Sequence, residues 1–446
     1  MIAFALLLAM QDTSRLTLDA AVRGALSQYP TVAVARAAQS RARADVRETG
    51  AQQLPRVTLD GSATRYQLPA LIYPLHGFPG PTTPAPGGNP VFDRTLFQGS
   101  ALLSWTFYDF GARSGRTRAT RELAGAADAA LGAAEQTLVA RTAGAYLRVL
   151  SARQVLAAQD QRIAAISAES ERTRRLLAEG KIARIELLRA DATLARASAE
   201  RSAIAGQLDV VEHDLSQLTA QPWERLTRGA LAAVALRDSG DAEPLRAERA
   251  ALVQHAAETS PELLEVRRRA AAGRAGVAAA RATRLPELRA SAGIVDRASS
   301  SSEFRAEWQA GIGVSYPLYT GGQRGGAIAR AEADARGAAE QLRLAEFSVA
   351  QNVDRAIAVV IEAHARVLAL RTASVSSDTV AAIERTALDI GSGIQINYLE
   401  ALAFALQARS QLIEARHTEI AARIELARVT GDLSPAWLAT HLESVP

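Results

Sequence analysis

The chain has no cysteine, only two methionines, and few aromatic residues, 5% of its 446 positions. Without cysteine there can be no disulfide, thiolate metal site, catalytic thiol or lipidated N-terminal cysteine. Histidine is sparse too: His213, His255, His364 and His417 stand singly in helical sequence. With no HExxH or paired-histidine spacing, each reads as a surface or core histidine, and no metal or other cofactor is expected. No GxSxG, triad spacing or paired-carboxylate motif stands out, so an enzyme is not expected either. Long apolar runs are also missing. The N-terminal MIAFALLLAM reads as the apolar part of a secretory signal (residues 1–11), although a positive leading region and an A-x-A site are lacking. No other run approaches the ~18 residues of a membrane-crossing helix. If this chain crosses a bilayer, it must do so as β-strands.

What is present is mostly long-helix composition. Hydrophobic residues make up 48% of the chain, enough for real cores, and Ala, Arg, Glu, Leu and Gln dominate. The net charge is +4, but acids and bases are interspersed as on solvated helix faces. A basic block interleaved with aromatics is lacking, and nucleic acid is not expected as a partner.

Self-comparison exposes a duplication. Early in each half the offset is 231, pairing Pro30 with Pro261 and Leu54-Pro55 with Leu285-Pro286. Later it is 211, pairing Ser104-Trp105 with Ser315-Tyr316, Gly111 with Gly322, Arg113 with Arg324, Gly180 with Gly391, Leu188 with Leu399 and Thr219 with Thr430. The difference of 20 residues falls between Pro55 and Ser104. There the Pro/Gly-rich stretch near Pro69 to Pro90 reads as an irregular loop.

Each copy carries two segments of period-two alternation. In the first copy Phe97, Ala101, Leu103, Trp105 and Phe107 alternate with Gln98, Ser100, Ser104 and Thr106. Trp308, Ala310, Ile312, Val314 and Tyr316 repeat the phase against Glu307, Gln309 and Ser315. Weaker alternation precedes them, with Val57, Leu59 and Ala63 in one copy and Leu288, Ala290 and Ile294 in the other. Strands of roughly ten residues with one polar and one apolar face fit a transmembrane barrel with a wet lumen. Trp105, Phe107, Tyr108, Tyr316 and Tyr319 would then form a membrane-interface girdle. A soluble half-buried sheet is the other reading. Four strands cannot close a barrel, and open edges are not tolerated in lipid, so the first reading forces oligomerisation. Two, three or four protomers would close eight, twelve or sixteen strands.

Proline-free helical sequence follows each strand pair for roughly 66 residues, or about 100 Å. Return segments and the helices before the strands are each roughly 38 residues, near 57 Å, so two short helices stacked end to end match one long one. A tube of antiparallel coiled coils needs this arithmetic. The expected plan is a first repeat over 12–219, with strands about 56–66 and 96–109, a long helix about 112–179 and a return helix 181–218. A linker over 220–245 forms an equatorial belt with the tail 431–446. A second repeat over 246–430 has strands about 286–296 and 305–319, a long helix about 323–390 and a return helix 393–429.

The strand-to-helix junctions SWTFYDFGARSG and SYPLYTGGQRGG, and the hairpin tips LLAEGKIARIELLRADATLARA and LDIGSGIQINYLEALAFALQAR, resemble the TolC family of outer-membrane factors over nearly the whole chain. The resemblance implies a mixed architecture, a twelve-stranded membrane β-barrel closed by a homotrimer above an α-helical coiled-coil tunnel through the periplasm. It also implies a passive exit duct in the outer membrane, surrounded by outer-membrane lipid. A periplasmic adaptor and an inner-membrane pump of the RND or ABC class would engage it, and it would perform no covalent chemistry. Efflux and type I secretion both fit such a duct. In relatives acidic residues ring the periplasmic aperture. By position these fall on Glu186, Asn397 and Glu400, with Asn397 departing from the acidic pattern. Gly180 and Gly391 sit where the chain reverses, and the resemblance implies adaptor contact there, around Gly180, Lys181, Arg184, Gly391 and Gly393. Lys181, Arg184 and Arg189 are expected to pair with tip carboxylates. The glycine-rich GGQRGG lacks the following Lys-Ser/Thr of a phosphate cradle. The alternative from another class is a periplasmic coiled-coil adaptor or scaffold, which would not need strands with wet and dry faces.

Overall fold

The structure is a computed structural model that describes residues 15–72, 91–238 and 240–445. The expected signal segment and most of the Pro/Gly-rich insert lie outside these residues. In chain order the elements are α1 (Leu18–Gln28), α2 (Pro30–Ala51), β1 (Arg56–Leu71), β2 (Phe92–Tyr108), α3 (Ala112–Ala178) and α4 (Arg184–Thr219). After them come α5 (Trp223–Arg228), β3 (Ala233–Leu236), α6 (Pro244–Ala247), α7 (Arg249–Thr259) and α8 (Pro261–Ala282). The chain ends with β4 (Glu287–Ser299), β5 (Ser302–Ser315), α9 (Gln323–Asp389), α10 (Gln395–Thr430), α11 (Pro435–His441) and β6 (Leu442–Val445).

The helices of the two copies are equal in length. The long helices α3 and α9 have 67 residues each, and the return helices α4 and α10 have 36 each. The helix expected before each strand pair is broken in two, into 11 and 22 residues in both copies. Proline is the cause. The clash of its ring with the preceding residue drives that residue out of the helical region, and Tyr29 (ψ 129°) and Ser260 (ψ 119°) are extended. Each proline then starts the next helix, where its missing N–H has no partner to lose. β1 also runs on to Leu71 and β2 begins at Phe92, so strand continues into sequence that reads as loop. Pro69 is tolerated because it falls in the register irregularity between Arg65 and Ala70, where its missing N–H breaks no bond of the β1–β2 ladder.

The chain divides into two compact units. One comprises the described residues of 39–127 and 266–342 and contains the four-stranded antiparallel sheet, ordered β1-β2-β4-β5. Register decides its chemistry, because directly opposed residues share a face. Val57, Leu59 and Ala63 oppose Leu103, Ala101 and Phe97. Those three oppose Ala292, Ile294 and Ala298, and Ile294 and Ala292 oppose Trp308 and Ala310. One face is therefore apolar from edge to edge, and it is uncovered: Trp308 and Ile312 are each 77% exposed. On the other face Asp60 opposes Ser100 and Ser62 opposes Gln98. There Arg297 reaches Gln98 (3.3 Å) and Glu307 (3.4 Å).

The other unit comprises 15–38, 128–265 and 343–445 of the described residues. Its main core joins α1, the middle of α3, the C-terminal parts of α4 and α10, and the linker and tail, through Val22, Tyr146, Leu147, Leu215, Leu226, Leu433 and Leu438. The linker strand β3 pairs antiparallel with the tail strand β6. Two polar side chains of α3, the buried Tyr146 and the half-buried Arg153, fasten this belt. The Tyr146 hydroxyl lies 2.6 Å from the Leu16 carbonyl and 2.7 Å from that of Ala232, and burial pushes its phenol well above the ordinary tyrosine range. Arg153 pairs with Glu212 (2.6 Å) and donates to the carbonyls of Gly229 (2.8 Å) and Leu226.

Candidate functional site

Two places hold the residues singled out in the sequence: the ends of the sheet and the tips of the helical hairpins. At the sheet, Trp105, Phe107, Tyr108, Tyr316 and Tyr319 are all at least 38% exposed, at the strand ends that lead into α3 and α9. Trp105 and Phe107 lie 5.9 Å apart between ring centroids, and Arg324 sits over the Tyr316 ring at 6.0 Å. The Trp105 indole N–H donates to the Gln53 carbonyl (2.9 Å), so the ring is fixed against α2 while its face stays open.

The strand-to-helix junction of the first copy carries a lock that composition does not reveal. Phe110 and Gly111 are left-handed, with φ of 51° and 95°. Asp109 accepts from the Gly111 N–H (3.2 Å), the Arg113 N–H (2.9 Å) and the Arg113 side chain (2.7 Å). Arg113 also donates to the carbonyls of Gln52 (2.7 Å) and Thr106. One ion pair thus fixes β2, α2 and α3 to each other. The signal was present in SWTFYDFGARSG as an Asp/Arg pair four residues apart.

At the tips, Gly180 (φ 70°) and Gly391 (φ 79°) are left-handed, as a helix-terminating residue without Cβ allows. The Lys181 N–H closes back on the Leu176 carbonyl (2.9 Å). Gly393 is fixed by space: a Cβ there would lie 2.7 Å from the Leu388 nitrogen and 2.9 Å from the Ala387 carbonyl carbon. Of the three expected tip cations, Lys181 pairs with Glu179 (2.7 Å) and Arg189 with Glu186 (3.2 Å). Arg184 makes no ion pair among the described residues. The Lys181 ammonium holds the Glu179 carboxyl below the usual carboxylate range.

The three aperture candidates differ in state. Glu186 is half-buried and its charge is offset by Arg189. Asn397 and Glu400 are exposed and lie three apart on α10, on one helix face. Nothing among the described residues bonds Glu186 to either of them.

A network that the sequence reading missed ties α3 to the second hairpin nearby. Arg172 reaches Glu169 (3.7 Å) on its own helix and Asp389 (3.5 Å) on α9. Arg385 pairs with Asp389 (3.1 Å), donates to the Tyr398 hydroxyl (3.2 Å) and lies 5.4 Å from the centre of that ring. Gln395, the first residue of α10, donates to the Thr173 hydroxyl. Glu169 is 4% exposed at the side chain. Burial pushes its carboxyl up, against the pull of Arg172 and Arg385.

Among the described residues no group of three or more histidine or acidic side chains could hold a metal. No helix there is long and apolar enough to cross a membrane.

A family model described as outer membrane efflux protein matches residues 21–221 and 252–432. The chain is 25% identical over 346 residues to outer membrane protein TolC of Salmonella enteritidis, an alignment that covers 75% of this chain and 69% of that protein. Among solved structures, the outer membrane protein VceC of Vibrio cholerae superposes with a TM-score of 0.76 at 18% identity, over 93% of this chain and 96% of VceC. The CmeC outer membrane channel of Campylobacter jejuni gives 0.77 at 14% identity, over 95% and 88%. At such identities the superpositions establish the fold, and the family model matches most of the sequence: the chain belongs to the outer membrane efflux protein family.

Proposed function

We propose that this protein is an outer-membrane exit duct. Three copies contribute four strands each to a twelve-stranded barrel, and their helices line a conduit through the periplasm. A periplasmic adaptor and an inner-membrane pump of the RND or ABC class deliver the cargo. The sheet carries this reading. It has one apolar face from edge to edge and two unpaired edges, β1 and β5, of 16 and 14 residues. Backbone groups at such edges cannot stay unpaired in hydrocarbon, where each costs several kcal/mol. Pairing β5 of one copy with β1 of the next satisfies them and turns the apolar faces to lipid, with Trp105, Phe107, Tyr108, Tyr316 and Tyr319 at the interface. A coiled-coil adaptor or scaffold would have no use for this sheet.

In this reading Glu400 and Asn397 face the aperture, where repetition around a three-fold axis concentrates their field. Glu186 contributes less because Arg189 offsets it. The tip turns, with Gly180, Lys181, Arg184, Gly391 and Gly393, are the adaptor's contact. Arg172, Asp389, Arg385 and Tyr398 hold the two hairpins together near that end. The test is extraction and conductance. A trimer released only by detergent, heat-resistant on electrophoresis and conducting in planar bilayers, is expected. Recovery in the soluble fraction, or a non-conducting monomer, would refute the duct.

A further inference from the structure

Charge is unevenly distributed along the chain. The helix segments that adjoin the sheet, residues 40–51, 112–127, 270–284 and 323–338, hold thirteen arginines against five acids. The whole chain is only +4, so the remainder is net negative. Two of the five acids are already engaged, Glu122 with Arg268 (3.0 Å) and Glu332 with Arg281 (2.6 Å). Arg47, Arg118, Arg121 and Arg274 are exposed and make no ion pair or hydrogen bond among the described residues. The first turns of α3 and α9 also lack acids, although the helix dipole favours them there.

These four arginines share one face. Beneath the sheet α2, α3, α8 and α9 lie side by side. α3 meets α2 through Thr117 and Thr120, bonded to Gln53 (2.7 Å) and Thr49 (2.8 Å). It meets α8 through Glu122 and through Gly115, where a Cβ would lie 2.9 Å from that of Ala279. At about 100° per residue those flanks are opposite, which leaves Arg118 and Arg121 on one free face and Arg116 and Leu123 on the other. α8 meets α9 through Gly273, beside Ala335, and through Arg281. The same count puts Arg274, and Arg47 on the equivalent α2, on the side of Arg118. The other side carries Arg116 and Arg330 with Asp45 and Asp334, and is balanced. Strand stagger tells which side is outward. Arg56, at the start of β1, opposes Ser104, then Ser291, then Gly311. Each of those three lies four residues inside the helix-side end of its strand, at Tyr108, Glu287 and Ser315. Such a climb over three steps fits strands tilted about 35–45° in a barrel. The fixed twist of sheets makes it run clockwise seen from the loop end. In that order right-handed helices turn Arg47, Arg118, Arg121 and Arg274 outward and Arg116 inward.

We propose that this arginine face binds the headgroups of anionic phospholipids in the adjoining membrane leaflet, an inference that rests on the duct reading. The four side chains leave their helices about 6–14 Å from the ends that join the strands. The headgroup layer is itself about 5–7 Å deep, and long arginine side chains bridge the rest. On α3 they lean toward the helix N-terminus, and so toward the membrane. Guanidinium forks fit phosphate oxygens, and a cluster of four to eight basic residues beside a membrane span is the usual mark of an anionic-lipid site. The unpaired charge is confined to the turns next to the sheet, as lipid contact requires. Farther down α2, Arg36 is already paired with Glu135 (3.3 Å).

The test uses the full chain as a trimer in nanodiscs of phosphatidylcholine and phosphatidylglycerol. Brominating the acyl chains of one lipid or the other quenches Trp105 and Trp308, exposed on the apolar face, and the ratio of quenching gives the lipid preference beside the protein. Expected at low salt is a preference for phosphatidylglycerol of about tenfold, falling to about twofold in about 0.5 M NaCl. Combining Arg47→Gln, Arg118→Gln, Arg121→Gln and Arg274→Gln should bring it to about twofold at low salt, with trimer yield unchanged. Arg116→Gln with Arg330→Gln, on the opposite face, should leave it at about tenfold. The salt titration of the unaltered protein stands by itself should the quadruple variant fail to assemble. No preference in the unaltered protein, a preference insensitive to salt, one that the quadruple variant keeps, or an equal loss in the double variant would each overturn the inference. So would a quadruple variant that loses binding to purified peptidoglycan and not to lipid. A chain that does not enter nanodiscs refutes the duct and this inference together, whereas a conducting trimer without lipid preference refutes this inference alone.

Discussion

Replacing Arg153 with methionine should loosen the linker without unfolding the long helices. The guanidinium makes hydrogen bonds to Glu212 and to the carbonyls of Leu226 and Gly229, so one side chain joins α3, α4 and α5. Glu212 is 4% exposed at its side chain, and Arg153→Met leaves that carboxylate buried and unpaired. Removing one partner of a buried pair costs about 3–5 kcal/mol. Because Arg153 itself is 23% exposed, water can enter and the low end applies, about 3 kcal/mol. At 1.4 kcal/mol per decade this raises the opening equilibrium of the linker roughly 100-fold. Native-state hydrogen exchange of residues 223–236, read by mass spectrometry, measures that ratio directly. Adding Glu212→Leu removes the stranded charge and should restore protection to within about 1 kcal/mol, since apolar replacement of both partners is often neutral. If the double variant exchanges as fast as the single one, the unpaired carboxylate is not the cause. If the single variant changes exchange by less than about threefold, Arg153 does not hold the linker at all.

On β5, Ile312→Lys on the apolar face should cost about 2–4 kcal/mol per copy in the bilayer and lower the yield of heat-resistant oligomer, whereas Gln309→Lys on the opposite face should change it little. Equal yields would mean that the apolar face does not meet lipid. Asn397→Asp should raise cation-over-anion selectivity in planar bilayers, measured by reversal potential, and Glu400→Gln should lower it. Selectivity unmoved by both would place neither residue at the constriction. His417 lies buried in α10, and that burial holds its imidazole below the ordinary 6.5. Its contribution to stability is therefore full above that value and is lost as pH falls through the folded-state pKa, because the unfolded chain binds the proton more tightly. Thermal stability should drop as pH falls below about 6.5, and less so in His417→Gln; the same drop in the variant would assign the loss to other groups.

Local chemistry made some of this molecule legible in its sequence. The apolar and polar faces of the strands followed from period two alone, and register then gathered Phe97, Ala101, Ile294 and Trp308 on one face. Equal helix lengths followed from the offset between Gly180 and Gly391. What failed was of two kinds. Pro30 and Pro261 were visible but read as lying within helices, although the residue before each is forced extended. The Arg172–Asp389 contact joins residues 217 positions apart, and no spacing rule reaches across that separation. The aperture candidates fell between these cases. Position in the tip motif picked out Glu186, but Arg189, one turn on, already offsets its charge.

The duplication preserved backbone geometry and let the polar chemistry drift. Helix lengths match residue for residue, and the left-handed glycines recur, because a change in either would misalign every packed layer after it. Side chains that fasten one element to another are under no such constraint, and they differ throughout. Asp109, which binds Arg113 at the first junction, corresponds to Thr320, and there Arg324 is left with the Pro317 carbonyl (2.9 Å) and the Tyr316 ring. Tyr146, whose hydroxyl lies against the Leu16 and Ala232 carbonyls, corresponds to Ile357, which is buried but can donate to neither. Arg153 and Glu212 correspond to His364 and Arg423, which share Glu419 and leave an Nε–H without an acceptor. At each of these positions the first copy has the more complete set of polar ties. Where the first copy has those ties, the second has only the small apolar cluster of Val360, Ala363 and Ala422 with Ala242 of the linker.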